Sequence, residues 1–173
     1  MQYEELIRAR FSVRKFQDRP VKPQQLNAIL EAGRIAPTAG NRQPQRILVV
    51  QGREGLEKMK QCTPCHFDAP LILLVCYDRT VVAKNSFGDK RTYGTVDASI
   101  VLTQMMLEAH DQGLGTVWVG LFDPQRLAQC FHIPEQYEIL SLMPIGYPAA
   151  DAAPSPMHFD KHPMEHTVFH ESF

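Results

Sequence analysis

Arg10 and Arg14 stand two residues either side of Ser12, in Arg10-Phe11-Ser12-Val13-Arg14. Guanidinium forks match phosphate oxygens bidentately, and a hydroxyl between them supplies one more donor. This short run therefore reads as a receptor for a phosphate. Further on, Ile35-Ala36-Pro37-Thr38-Ala39-Gly40-Asn41-Arg42-Gln43-Pro44 is a loop punctuated by Pro and Gly that carries two side-chain amides. Amides of Asn41 and Gln43 donate and accept, which suits the edge of a planar heterocycle. A phosphate handle and a heterocycle-reading loop together point to a phosphorylated aromatic cofactor. Two other patterns invite chemistry. Cys62-Thr63-Pro64-Cys65-His66 has the C-x-x-C-H spacing of covalent haem attachment and of redox dithiols. No export signal accompanies it, so we assign neither role. His158, His162, His166 and His170 recur every four residues and would stack on one helical face. Pro163 interrupts any such helix, and no metal site is assigned.

These groups need a scaffold. At 173 residues the chain is long enough for one domain over 1–173, with 148–173 as an extended tail. A formal net charge of -1 gives no general attraction to nucleic acid or to an anionic membrane. The N-terminus has no basic n-region or apolar h-region, and no apolar run approaches the roughly 20 residues of a membrane helix. Four cysteines do not make a disulfide framework in a chain of this size. The expectation is a cytoplasmic protein with reduced thiols.

Periodicity predicts helices over 3–9 and 23–35, the second with Pro23 in its first turn and Pro37 as its stop. A strand is expected over 47–50, a polar helix over 54–61, and a buried central strand over 71–77. Residues 79–95 read as a polar, irregular segment and a candidate mobile loop over a site. Asp97 is expected to cap a helix over 98–112 that is apolar nearly all round, hence buried in the core or an interface. Gly113 and Gly115 end it, before a short strand over 116–119. Asp123-Pro124 opens another helix, and 137–145 is the last strand. The tail is expected to run along a surface, in part a partner's. No GxGxxG or GxxxxGK[ST] motif is present. The interleaving, with some connections too short for crossovers, favours an α+β three-layer α/β/α sandwich around a mostly antiparallel sheet.

Four runs in this order resemble the FMN-dependent nitroreductase-like flavoproteins, in a compact form. They are Arg10-x-Ser12-x-Arg14-x-Phe16; Ala36-Pro37-Thr38-Ala39-x-Asn41-x-Gln43-Pro44; the helix leading into Gly113-Leu114-Gly115-Thr116-Val117-Trp118; and Met143-Pro144-Ile145-Gly146-Tyr147-Pro148. The resemblance implies a homodimer with FMN at the interface, touched by both chains. Arg10, Ser12 and Arg14 would hold the phosphate and ribityl chain, with Phe11 packing beside them. Pro37, Thr38, Ala39 and Asn41 would come from the other subunit, and Gln43 would reach the ring. Trp118, Val119, Gly120 and Leu121 match the segment beside the isoalloxazine. Lys161, ahead of Pro163-Met164-Glu165, matches a basic phosphate contact. Gln45 and Ile47 replace the Trp and Phe common after Gln-Pro, and Lys161 replaces an arginine fork by a point charge.

The activity implied is a ping-pong oxidoreductase cycle. NADH or NADPH gives hydride to the flavin, and nitroaromatics, quinones or related small electrophiles take the electrons. Flavin carries that chemistry, so no side chain is nominated as catalytic acid, base or nucleophile. The alternatives are a specialised flavin reductase or dehalogenase-type member, and a non-catalytic flavin- or metal-binding protein.

Overall fold

The computed structural model describes residues 1–87, 89 and 91–173. Its centre is β2 (Leu71–Asp78), all eight residues of which are buried. Such a run is stable only where both faces of a sheet are covered. Leu71, Leu73, Val75 and Tyr77 meet Ile29 of α2 (Pro23–Arg34) together with Val101, Leu102 and Met105 of α4 (Gly94–Asp111). The alternate residues Ile72, Leu74 and Cys76 meet Met59 of α3 (Arg53–Lys60) and Leu127 of α5 (Pro124–Phe131). Period-two alternation thus sorts one strand between two cores. The result is the expected three-layer α+β sandwich.

The sheet order is β1-β2-β4-β3, with β1 (Gln45–Val50), β3 (Gly115–Thr116) and β4 (Tyr137–Gly146). Its three ladders are antiparallel. Beyond β3, Ser12 makes a parallel bridge to Thr116, so the 10–14 segment follows α1 (Tyr3–Ala9) straight onto the sheet edge. Val13 is buried there against Gly115, where an added Cβ would lie 2.6 Å from the Val13 side chain. That close approach requires glycine.

Three sequence expectations change. Asp97 does not cap α4, which starts at Gly94 and places Asp97 inside its first turn. Gly94 allows the early start: a Cβ there would stand 2.3 Å from the Tyr77 ring, so only glycine lets the helix begin this close to β2. The strand expected over 116–119 is regular only at Gly115–Thr116. Val117 N–H donates to Pro144 O, but Pro144 has no N–H to return, and the ladder breaks until a single bridge at Val119. In the segment expected to be irregular, Lys84 and Thr92 form an antiparallel bridge. The reading of 79–95 as a loop over a site falls in part on positions 88 and 90, outside the described residues. Among the described residues no helix is long and apolar enough to cross a membrane.

Candidate cofactor site

The 10–14 segment is extended, so Ser12 and Arg14 share the side opposite buried Val13. Val13 N–H donates to Thr116 O at 2.9 Å and fixes the register. Among the described residues neither Arg10 nor Arg14 pairs with a carboxylate; Arg14 Nη1 donates only to Ser12 O at 3.3 Å. Two guanidinium groups without a carboxylate partner on one short segment are candidate donors to an anion. A pocket of about 280 Å³ opens beside Arg14, lined also by Ser12, Lys15, Asp151, Ala152, Ala153 and Ser155. Lys15 is itself engaged by Asp151 at 2.5 Å.

Thr116 and His110 join this end of the molecule, and neither stands out in the sequence. Both carry a buried polar atom, Thr116 Oγ1 and His110 Nε2, without a hydrogen-bond partner among the described residues. Burial, then the charge of Arg10, holds the His110 imidazole below its ordinary value near 6.5, against the opposing pull of Asp111. A depressed histidine favours the folded state above the unfolded pKa, and its contribution is lost as pH falls below about 6.5. His110→Gln should therefore flatten the decline in urea midpoint between pH 7 and 5. An unchanged pH slope would remove His110 from that account.

The segment after β3 points its residues alternately. Val117 and Val119 are buried in the second core, while Trp118 and Gly120 face outward and Leu121 is exposed. Val119 is held from both sides: its N–H donates to Leu142 O, and its carbonyl accepts from Ser141 Oγ, both at 2.9 Å. The N–H groups of Trp118 and Gly120 have no partner among the described residues. Thr63 Oγ1 donates to Leu121 O at 2.6 Å and anchors the far end.

Loop 37–43 is elsewhere. Ala39 N–H donates to Asp97 Oδ1 at 2.8 Å, so the loop sits at the first turn of α4. Asn41 and Gln43 are exposed, and Gln43 Nε2 bonds Asn41 O and Oδ1, both at 3.2 Å. Arg10 lies near His110, thirteen residues further along the same helix. At 1.5 Å of rise per residue the two groups are separated by about 20 Å. The chain places the segment that holds Arg10, Phe11, Ser12 and Arg14 on the sheet edge at Thr116, shortly before the 118–121 segment. It does not bring Pro37, Thr38, Ala39, Asn41 or Gln43 to them.

Lys161 is exposed in the tail, three residues past His158, whose ring meets Phe11 edge-on at 6.5 Å. The four tail histidines fall on two separate short turns, Pro156–His158 and Met164–His166, and the loops beside them. Among the described residues no three His, Cys, Asp or Glu side chains gather to hold a metal. The four cysteines are free thiols. Burial, with a smaller push from Cys130, raises Cys62 to about 11, and burial raises Cys76 to about 12.

The nitroreductase family model matches residues 7–65 and 64–147, which covers both halves of this arrangement. The chain belongs to the nitroreductase family. A Methanothermobacter thermautotrophicus protein, whose name provisionally assigns it NADH dehydrogenase/NAD(P)H nitroreductase activity, is 33% identical over 91% of this chain and 86% of its own length. The FMN reductase [NAD(P)H] of Bacillus subtilis is 33% identical over 84% of this chain and 65% of its own. A crystal structure of a nitroreductase family protein from Clostridium difficile 630 superposes with a TM-score of 0.93. It has 37% identity and full coverage of both chains. In this nitroreductase-family chain, the runs that match the family thus occupy both ends of α4.

Proposed function

We propose that this nitroreductase-family chain is an NAD(P)H-dependent FMN oxidoreductase. Its site is completed only when two copies pair, and it passes electrons to nitroaromatics, quinones or related electrophiles in a ping-pong cycle. The observation that carries this reading is the separation of the two candidate groups by the length of α4. The outer face of that helix supports the pairing. Val96 and Ile100 are exposed, and with Tyr3, Thr103 and Leu107 they line a groove of about 720 Å³. Two such faces packed antiparallel about a two-fold bury each other. The loop-bearing end of one helix then faces the partner's sheet edge, which carries the 10–14 and 118–121 segments. The same pairing gives the tail a surface: residues 161–173 are exposed throughout, including Met164, Val168, Phe169 and Phe173. Among the described residues the outer edge of β1 also carries no strand in the sheet.

The residues present fit FMN. Arg10 and Arg14 carry free donors for a phosphate, the adjoining pocket is of suitable size, and Thr116 Oγ1 is an orphaned polar atom beside Ser12. Arg10, Ser12, Arg14 and Lys161 would hold the phosphate end, with Phe11 packed beside it. Trp118 and Leu121 would flank the ring, and the uncommitted N–H of Gly120 would be the donor aimed at it, since that of Val119 is spent on Leu142. Pro37, Thr38, Ala39, Asn41 and Gln43 would close the site from the second chain. When bound, FMN supplies acceptance of hydride from the reduced nicotinamide and its delivery to the electrophile. The chain's own work is to bind, orient and exclude water. No side-chain acid, base or nucleophile is required.

The names of the relatives support the donor and the cofactor. The test is anaerobic stopped-flow of the flavin-loaded protein with NADH and with NADPH. Bleaching of the yellow absorbance within seconds, followed by recolouring on addition of a quinone, is the expected result. A flavin that neither nicotinamide bleaches would leave a binding protein in place of an enzyme.

A further inference from the structure

Loop 37–43 holds an unfavourable backbone. Gly40, Asn41 and Gln43 all have positive φ, at 57°, 53° and 49°. For residues other than glycine this region is disfavoured and persists only where neighbours enforce it. Inside the loop, Asn41 N–H donates to Thr38 O at 2.9 Å and Gln43 N–H to Thr38 Oγ1 at 3.0 Å. Two side-chain ties join the loop to the body of the protein: Ala39 N–H donates to Asp97 Oδ1, and Arg46 Nη1 of β1 donates to Gln43 O at 3.2 Å. Asp97 is only 1% exposed, and its second oxygen has no partner among the described residues. A buried carboxylate with a single side-chain-to-backbone donor of this kind is disfavoured unless its position is needed.

We infer that Asp97 is a positioning residue that latches loop 37–43 in its ligand-reading conformation, and so governs flavin affinity without touching the flavin. This rests on the proposed function, in which the loop faces the cofactor. In that reading Gln43 of the loop reaches the ring, while Arg10, Ser12 and Arg14 hold the phosphate. Loss of the latch should therefore weaken binding of FMN and of riboflavin, which lacks the phosphate, by the same factor.

The experiment compares Asp97→Ala and Asp97→Asn with the wild-type protein, by flavin fluorescence titration and by amide hydrogen exchange. Asp97→Ala should weaken FMN and riboflavin equally, by about ten- to a hundredfold, the range for a hydrogen bond to a charged group. Amides of residues 39–43 should exchange faster while those of β2 keep their protection. Asp97→Asn keeps an acceptor for Ala39 of about half the strength, so most of the affinity should return. If Asp97→Ala does not fold, faster exchange at Ala39 in Asp97→Asn, with β2 still protected, supports the latch in its place. The latch is refuted if loop exchange and affinity stay at wild-type values. It is equally refuted if Asp97→Asn matches the alanine variant with β2 protection lost in both. Should the wild-type protein bind no flavin, the cofactor reading fails, and the exchange data alone decide whether Asp97 restrains the loop.

Discussion

Exchanging Arg10 and Arg14 together for alanine should weaken FMN binding by about 10²–10³-fold and leave a folded protein. Hydrogen bonds to charged groups contribute about 1.5–3 kcal/mol each. Arg14 is exposed, so its share is discounted for solvent screening. A combined loss of about 3–4 kcal/mol corresponds to the stated range at 1.4 kcal/mol per decade. Neither guanidinium is ion-paired to a carboxylate among the described residues, so their removal strands no charge and costs the fold only the exposed Arg14 Nη1 contact to Ser12 O. Riboflavin supplies the control. The wild-type protein should prefer FMN over riboflavin strongly, and the double variant should show almost no preference. Titration of both ligands against both proteins measures this directly. An unaltered FMN affinity in the variant would place the phosphate elsewhere.

The second large effect concerns α4. Ile100→Asp should convert a dimer into a monomer and abolish flavin binding in the same step. In the proposed pairing a two-fold axis places the substitution twice in one interface. Each event removes an apolar side chain worth about 1.5–3 kcal/mol when buried, and sets an unpaired carboxylate in its place. The dimer dissociation constant should rise by a factor of about 10³ or more on those magnitudes. Sedimentation velocity with detection at the flavin wavelength reads both consequences at once. A monomer that retains the yellow chromophore would show that one chain suffices. A variant that stays dimeric would put the interface on another face.

Much of the architecture is legible in the order of residues. The unbroken apolar run beginning at Leu71 announces a strand covered on both sides, and Pro23 and Pro37 bracket a helix that begins and ends where they allow. Where sequence and structure part, the cause lies in a contact between distant segments. Asp97 looks like a cap because nothing near it in sequence shows that Gly94 has slid under Tyr77 and started the helix a turn early. The strand after Gly115 looks longer than it is because the missing N–H belongs to Pro144 on another strand. The site divides along the same line. The residues of the Arg10 run and of loop 37–43 carry recognisable chemistry, but only the length of α4 reveals that one chain holds them apart. His110 and Thr116 leave no local mark: a histidine at a helix end and a threonine in a strand look ordinary until their burial and empty hydrogen-bond positions are seen.

The buried cysteines bear on which compounds such a protein can process without harming itself. Quinones and other electron-poor acceptors alkylate thiolates by conjugate addition. A thiol raised to about 11, as at Cys62, is ionised to only about one part in ten thousand at neutral pH, and Cys76 at about 12 still less. The two sulfurs in the packing of the second core are thereby poor nucleophiles toward the electrophiles of the proposed cycle.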